Sequence, residues 1–180
     1  MTDPAAADAS PRTLDAEAIY ATLKASVAGR LAAADGGRPA IVGIHSGGAW
    51  IARRLHEELC PDAPLGFLSS AFHRDDFSER GLRAAGGSGT TRIDFPVDGA
   101  DIVLVDDILY TGRTVRAALN ELFDYGRPAR VALAVLLDRG GRELPVQADH
   151  VGAALPLAPG QGFVLGRGDD GRFTLVVEPA

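Results

Sequence analysis

Two adjacent carboxylates, Asp106 and Asp107, stand shortly before Thr111, Gly112, Arg113 and Thr114, with Ile108, Leu109 and Tyr110 between. The two groups suit different chemistry. Hydroxyls and a glycine at a helix start add to unpaired backbone N–H groups and a partial positive charge, a natural cradle for phosphate. Carboxylates repel phosphate but accept hydrogen bonds from vicinal hydroxyls. A ligand carrying both, a phosphorylated sugar, answers to both groups.

The elements on either side support this placement. Ile102, Val103, Leu104 and Val105 form an all-apolar stretch that fits a central parallel strand covered on both faces. The aspartates then fall at its carboxyl end, where open α/β sheets keep their ligand crevice. Val115, Ala118, Leu119 and Leu122 keep helical spacing, so the Thr-Gly-Arg-Thr turn ends on a helix N-terminus. A second junction of this kind occurs upstream. An apolar strand at residues 40–44 leads through His45, Ser46, Gly47 and Gly48 into a helix carrying Ala49, Ile51, Ala52, Leu55 and Leu59. That turn reads either as a second phosphate cradle or as an ordinary tight turn.

The remaining elements follow from pattern. Ile19, Leu23, Val27 and Leu31 predict a first helix over residues 14–34, stopped by Asp35-Gly36-Gly37. A strand is expected over residues 65–72, and a short edge strand over 93–97, where Pro96 keeps it off the sheet centre. Between them residues 73–92 are polar and glycine-rich, a length that in a compact domain marks a functional or disordered loop. Its Asp75 and Asp76 read equally as part of a site or as a solvated hairpin face. Gly126 ends the helix that follows the Thr-Gly-Arg-Thr turn, residues 131–137 make a buried strand, and Asp138-Arg139-Gly140-Gly141-Arg142 lies at its carboxyl end. Residues 166–173 read as a hairpin turn.

With 180 residues and 46% hydrophobic content, the chain fits a single domain over residues 14–180 behind a disordered tail, residues 1–13. No apolar stretch would span a bilayer and the N-terminus lacks the pattern of a secretion signal, so a cytoplasmic protein is expected. The single cysteine, Cys60, reads as a packed thiol. A net charge of −6 argues against a dedicated nucleic-acid binder. Seventeen of the eighteen basic residues are Arg, suited to bidentate phosphate contacts or reflecting a codon bias. No G-x-x-x-x-G-K-[ST] pattern occurs, which separates the paired aspartates from those of a P-loop ATPase.

The run VDDILYTGRTVR resembles the phosphoribosyl pyrophosphate (PRPP) loop of the type I phosphoribosyltransferases. From Val105 to Gly152, and more weakly from Leu14 to Glu178, the chain is similar to the PyrR family of pyrimidine-operon regulators and uracil phosphoribosyltransferases; Tyr110 and the DRGGRELP stretch narrow the resemblance to that branch. It implies an α/β type I phosphoribosyltransferase fold: a central, mostly parallel sheet flanked by helices, with a small hood and a flexible loop. It implies transfer of phosphoribose from PRPP to uracil, giving UMP, with Mg²⁺. The implied partners include pyrimidine-operon leader RNA and a second or further copies of the chain, as homodimer or homotetramer.

By the same resemblance, Ser46, Gly47 and Gly48 form the pyrophosphate loop, which often carries a cis peptide. Gly47 stands near the place of the family's usual Arg or Lys, leaving Mg²⁺, backbone amides and Arg53 to neutralise pyrophosphate. Arg74 is the candidate pyrophosphate contact from the flexible loop. Asp106 and Asp107 hold the ribose hydroxyls and, through water or ribose, the metal; Ile108, Leu109 and Tyr110 line the PRPP and UMP site, Thr111, Gly112, Arg113 and Thr114 fix the 5′-phosphate, and Asp106, Asp107, Arg74 and Tyr110 are the implied catalytic residues. Arg139, Arg142, His150 and Val151 form the implied base pocket, where His150 either stacks on the base or fills the surface. Purine-using relatives carry Asp at the position of Tyr110. A phenol is a far weaker acid than a carboxyl, so a pyrimidine is expected. A regulator with weak or no catalysis is the alternative expectation.

Overall fold

The computed structural model describes residues 12–32, 39–69 and 89–179. Within them β1 (Arg12–Leu14) is followed by α1 (Ala16–Ala32), β2 (Ala40–Ile44), α2 (Gly47–Leu59), β3 (Leu65–Leu68) and β4 (Asp101–Leu109). Then come α3 (Arg113–Asp124), β5 (Arg130–Asp138), β6 (His150–Ala154), β7 (Gln161–Arg167) and β8 (Phe173–Pro179).

Five strands form one parallel sheet in the order β3-β2-β4-β5-β6. Their apolar runs exist because both faces are covered. Ile41, Val103, Val105, Ala134 and Leu136 turn to one face, where α1 contributes Tyr20, Leu23 and Val27 and α2 contributes Ile51, Ala52 and Leu55. Val42, Ile44, Ile102, Leu104 and Val135 turn to the other, against Val115, Ala118 and Leu122 of α3. The helices that follow β2 and β4 thus lie on opposite faces, although the two strands are neighbours. The chain parts at this switch point and leaves a crevice at the carboxyl ends of the strands.

A second, antiparallel sheet orders β1-β8-β7. The β7–β8 hairpin turns where its glycine-rich tip predicts. Arg54 of α2 joins this sheet to the body: its guanidinium pairs with Glu17 at 2.8 Å and stacks over the rings of Tyr20 and Phe173. Tyr20 and Phe173 meet edge to face at 5.4 Å.

Several boundaries differ from the sequence pattern. The strand expected over residues 65–72 ends as β3 at Leu68, Ser69 lying beyond it and residues 70–72 outside the described residues. Arg12 and Thr13, read as tail, pair with Val177 and Val176 of β8. A distant strand supplies their partners, and local pattern cannot see it. Helix α1 starts at Ala16 because Asp15 caps it, its Oδ1 accepting from Ala18 N at 3.0 Å. The expected edge strand over 93–97 does not form; Arg92 alone exchanges both backbone hydrogen bonds with Phe67, and the chain then leaves the sheet ahead of Pro96. Strand β4 runs on to Leu109, so Asp106 and Asp107 lie within its last turns of pleat, Asp106 opposite Val135. Cys60 is fully buried at the end of α2, a packed thiol.

Candidate active site

Two turns face each other across the β2/β4 crevice. The first, from β2 into α2, has a cis peptide between His45 and Ser46, ahead of the glycines. Ser46 is the N-cap residue of α2 and makes no side-chain capping bond. The two glycines are there for close approach. A Cβ on Gly48 would lie 2.4 Å from Val105 O, and one on Gly47 would lie 2.2 Å from Asp107 Oδ2. The first turn therefore rests directly on the acidic pair of the second, and nothing larger than glycine fits at 47 without displacing Asp107. His45 lies against Phe67 with ring centroids 5.6 Å apart. Burial and the nearby Arg53 lower its pKa, against a hydrogen bond with the Thr90 backbone. Arg53 sits over the Phe67 ring at 5.0 Å.

The second turn opens on a hollow of about 380 Å³ lined by Asp106, Ile108 to Val115 and Glu143. Asp106 is buried, and one of its carboxylate oxygens accepts from Asp107 N at 3.0 Å; Asp107 Oδ1 in turn accepts from Ile108 N at 2.9 Å. Gly112 caps α3 at φ +91°, a left-handed conformation that glycine adopts without strain. Thr111 Oγ1 accepts from Arg113 N at 3.3 Å. The Arg113 guanidinium reaches Glu143 at 2.9 Å, at the rim.

Tyr110 is 45% exposed at the mouth. The Arg139 guanidinium stacks on its ring at 3.8 Å and donates to Gln161 O at 3.2 Å, so one side chain links the turn to the start of β7. Gly141, at φ +71°, lies on the same ring. Arg142 is committed to backbone: its guanidinium donates to the carbonyls of Leu109, Tyr110, Gly140 and Val146 and to Asp138 Oδ2. Burial pushes the Asp138 carboxyl up, but Arg142 and the Gly140 N–H outweigh it and hold that carboxyl below its ordinary value.

The structure thus brings together Ser46, Gly47, Gly48, Asp106 and Asp107, the 108–114 turn, Arg139 and Arg142. Val151 stands opposite Val135, at the level of Asp106 but two strands away, and His150 opens β6 one residue earlier, opposite Ala134; neither lines the hollow at the 108–115 turn. His150 instead faces α1, its Nδ1 2.8 Å from Ser26 Oγ, beside a separate hollow with Arg30, Arg130 and Asp149. Burial lowers the pKa of His150 there, with Asp149 opposing and the arginines adding to the shift. Arg142 reaches the turn, where its partners are main-chain carbonyls and the Asp138 carboxylate. Arg74 lies outside the described residues.

Glu143, Gln161 and His45 belong to the site's surroundings and were missed. Only proximity in the fold singles out Glu143 and Gln161, whereas His45 stood within a recognised turn. Among the described residues no cluster of three His, Cys, Asp or Glu side chains could hold a metal. Asp106 and Asp107 are thus a partial donor set, suited to a cation that brings substrate oxygens and water with it.

A phosphoribosyl transferase domain model matches residues 12–160. The chain is 48% identical over 169 residues to the bifunctional protein PyrR of Ralstonia nicotianae, covering 92% of this chain and 95% of the relative. It is 46% identical over 167 residues to the PyrR of Nitrosococcus oceani, covering 92% and 93%. Among solved structures, the hypoxanthine phosphoribosyltransferase of Trypanosoma cruzi superposes with a TM-score of 0.64 at 23% identity, over 92% of this chain and 94% of that one. A hypoxanthine-guanine phosphoribosyltransferase of Bacillus anthracis gives 0.63 at 20%, over 81% and 85%. The domain match and the two close relatives settle what the crevice and its two turns suggested: this chain belongs to the PyrR family of type I phosphoribosyltransferases.

Proposed function

We propose that the chain converts uracil and PRPP to UMP and pyrophosphate, and that it also serves as a UMP-sensing regulator that binds pyrimidine-operon leader RNA. The observation that carries the enzymatic reading is the hollow at the β2/β4 switch point, where a buried carboxylate adjoins the glycine-capped start of α3. In the reaction the bond from ribose C1 to uracil N1 forms, the bond from C1 to the pyrophosphate oxygen breaks, and the N1 proton leaves to solvent or pyrophosphate. The transition state resembles an oxocarbenium ion, so the protein has to stabilise leaving-group charge rather than supply a nucleophile.

Each turn has its part in this. Backbone N–H groups of residues 110–114 hold the 5′-phosphate, and Asp106 and Asp107 accept from the ribose hydroxyls. The Ser46–Gly48 turn at the start of α2 takes the pyrophosphate. Arg139, between Tyr110 and Gln161, lines the side on which the base enters. When bound, Mg²⁺ neutralises pyrophosphate charge, and Asp106 and Asp107 hold it through ribose hydroxyls or water. No helix among the described residues is long and apolar enough to cross a membrane.

The test is uracil-dependent release of pyrophosphate from PRPP with Mg²⁺. No turnover with any pyrimidine or purine base sinks the enzymatic reading. A second reading, a regulator with weak or no catalysis, is favoured by Gly47, where packing on Asp107 leaves no room for the Cβ of an Arg or Lys side chain. Binding to pyrimidine leader RNA with and without UMP, at low and high salt, decides the regulatory part; indifference to that RNA in every condition removes it.

A further inference from the structure

The family resemblance places Arg139 and Arg142 in a base pocket, yet in the loop from Asp138 to Val146 that carries them, Arg142 and several backbone N–H groups point to the phosphate turn. Three consecutive carbonyls of the phosphate turn are tied to that loop. Leu109 O accepts from Arg139 N at 3.0 Å and from Arg142 Nη1 at 3.3 Å. Tyr110 O accepts from the same Nη1 at 2.8 Å. Thr111 O accepts from Glu143 N at 3.0 Å and Leu144 N at 3.1 Å. The Arg142 guanidinium is itself fixed by Val146 O, Gly140 O and the Asp138 carboxylate. Beneath the turn, Val146 and Leu144 would lie 3.2 and 3.3 Å from a Cβ on Gly112.

In a planar trans peptide the N–H points opposite to the preceding C=O. Tying the carbonyls of 109, 110 and 111 to one loop therefore turns the N–H groups of Tyr110, Thr111 and Gly112 away from that loop together. Successive N–H groups aligned in this way form an anion-binding concavity, and these three residues line the hollow. We propose that Arg142 is a positioning residue for the phosphate: by gripping the turn's carbonyls from behind, it sets the backbone cradle into which the 5′-phosphate of the ribosyl substrate fits. It has no part in recognising the base.

This rests on the phosphoribosyl reading above, and ribose 5-phosphate, which carries no base and no pyrophosphate, is the probe. Titration calorimetry on the parent chain and on Arg142→Met should show ribose 5-phosphate binding weakened by about tenfold or more once the grip is lost. The KM for PRPP should rise by a similar factor, with kcat at saturating PRPP and the KM for uracil within about threefold. Arg142→Lys keeps the charge but not the fork that spans several carbonyls, so it should remain well short of the parent. Should Arg142→Met not fold, Asp138→Asn loosens the same guanidinium and should move ribose 5-phosphate affinity in the same direction by less.

Ribose 5-phosphate bound within about twofold of the parent by folded Arg142→Met, or full recovery by Arg142→Lys, overturns the positioning role. A rise in the KM for uracil alone overturns it too, in favour of base recognition. A parent chain that does not bind ribose 5-phosphate at all sinks the phosphoribosyl reading itself, which separates the two failures.

Discussion

Replacing Glu17 by glutamine tests the joint between the three-stranded sheet and the body. Glu17 Oε1 accepts from Arg54 Nη1 at 2.8 Å and from Phe173 N at 2.7 Å, and Oε2 accepts from Arg54 Nη2 at 2.9 Å. The hydrogen bonds from Arg54, against the effect of burial, hold the carboxyl at about 2 instead of 4.5. A carboxyl lowered by folding stabilises the native state above its unfolded pKa, and that stability is lost as pH falls through the folded value. The window here runs from 4.5 down to about 2. At about 1.4 kcal/mol for each factor of ten, the lowering is worth at most about 3.5 kcal/mol at neutral pH. The Glu17 side chain is 22% exposed, and screening by solvent reduces the expected figure to about 2 kcal/mol. Glutamine still accepts from Phe173 N but presents no charge to Arg54. Urea unfolding at pH 7 should find Glu17→Gln less stable by about 2 kcal/mol with an unchanged m-value. The gap should narrow below pH 4.5 and close near pH 2. A gap of constant size across that range, or none at pH 7, refutes the charge argument.

Three further outcomes are expected. Asp107→Ala should weaken UMP binding by about 10- to 100-fold, the loss of one or two charge-assisted hydrogen bonds to ribose, with the melting temperature nearly kept; unchanged affinity in calorimetry contradicts the ribose role. Gly47→Arg places a Cβ against Asp107 Oδ2, so restoring the family's usual cation should lower kcat/KM by about tenfold or more, and a gain would show that the packing argument is wrong. His150→Ala should leave the KM for uracil within about twofold, because four residues at about 3.3 Å each separate its level in the sheet from that of Asp138. A large rise would restore His150 to the base pocket.

The strands at 40–44 and 101–109 and the turns after them were legible because their signals are local: continuous apolar runs, then small residues at a helix start. The position of Asp106 and Asp107 near the end of β4, ahead of the helix start at Gly112, was legible for the same reason. The pairing of Arg12 and Thr13 with β8 was not, since its partners lie more than 160 residues away and three residues carry no period. The strand expected over 93–97 failed for the opposite reason. Its composition suits a strand, but only Arg92 finds a sheet partner.

The base pocket was expected from the family resemblance, and side-chain pattern by itself carries no register to place it. The stretch at 149–152 has an aromatic-like residue beside a small one, but parallel strands have two ends, and composition does not say which end of β6 His150 occupies. Register says so: opposite Ala134, it lies at the level of Val105 rather than of Leu109. Arg142, placed near the base or pyrophosphate by the same resemblance, has contacts that no sequence pattern shows. A guanidinium near a substrate loop suggests an anion or a base, yet here its acceptors are main-chain carbonyls about thirty residues upstream. Every residue has a carbonyl, so no sequence marks the ones that will be gripped. What marks them is their consequence. Three carbonyls turned one way force three N–H groups the other way, and the Thr-Gly-Arg-Thr pattern, which looked sufficient for a phosphate cradle, holds only half of it; the other half is the DRGGREL segment behind it.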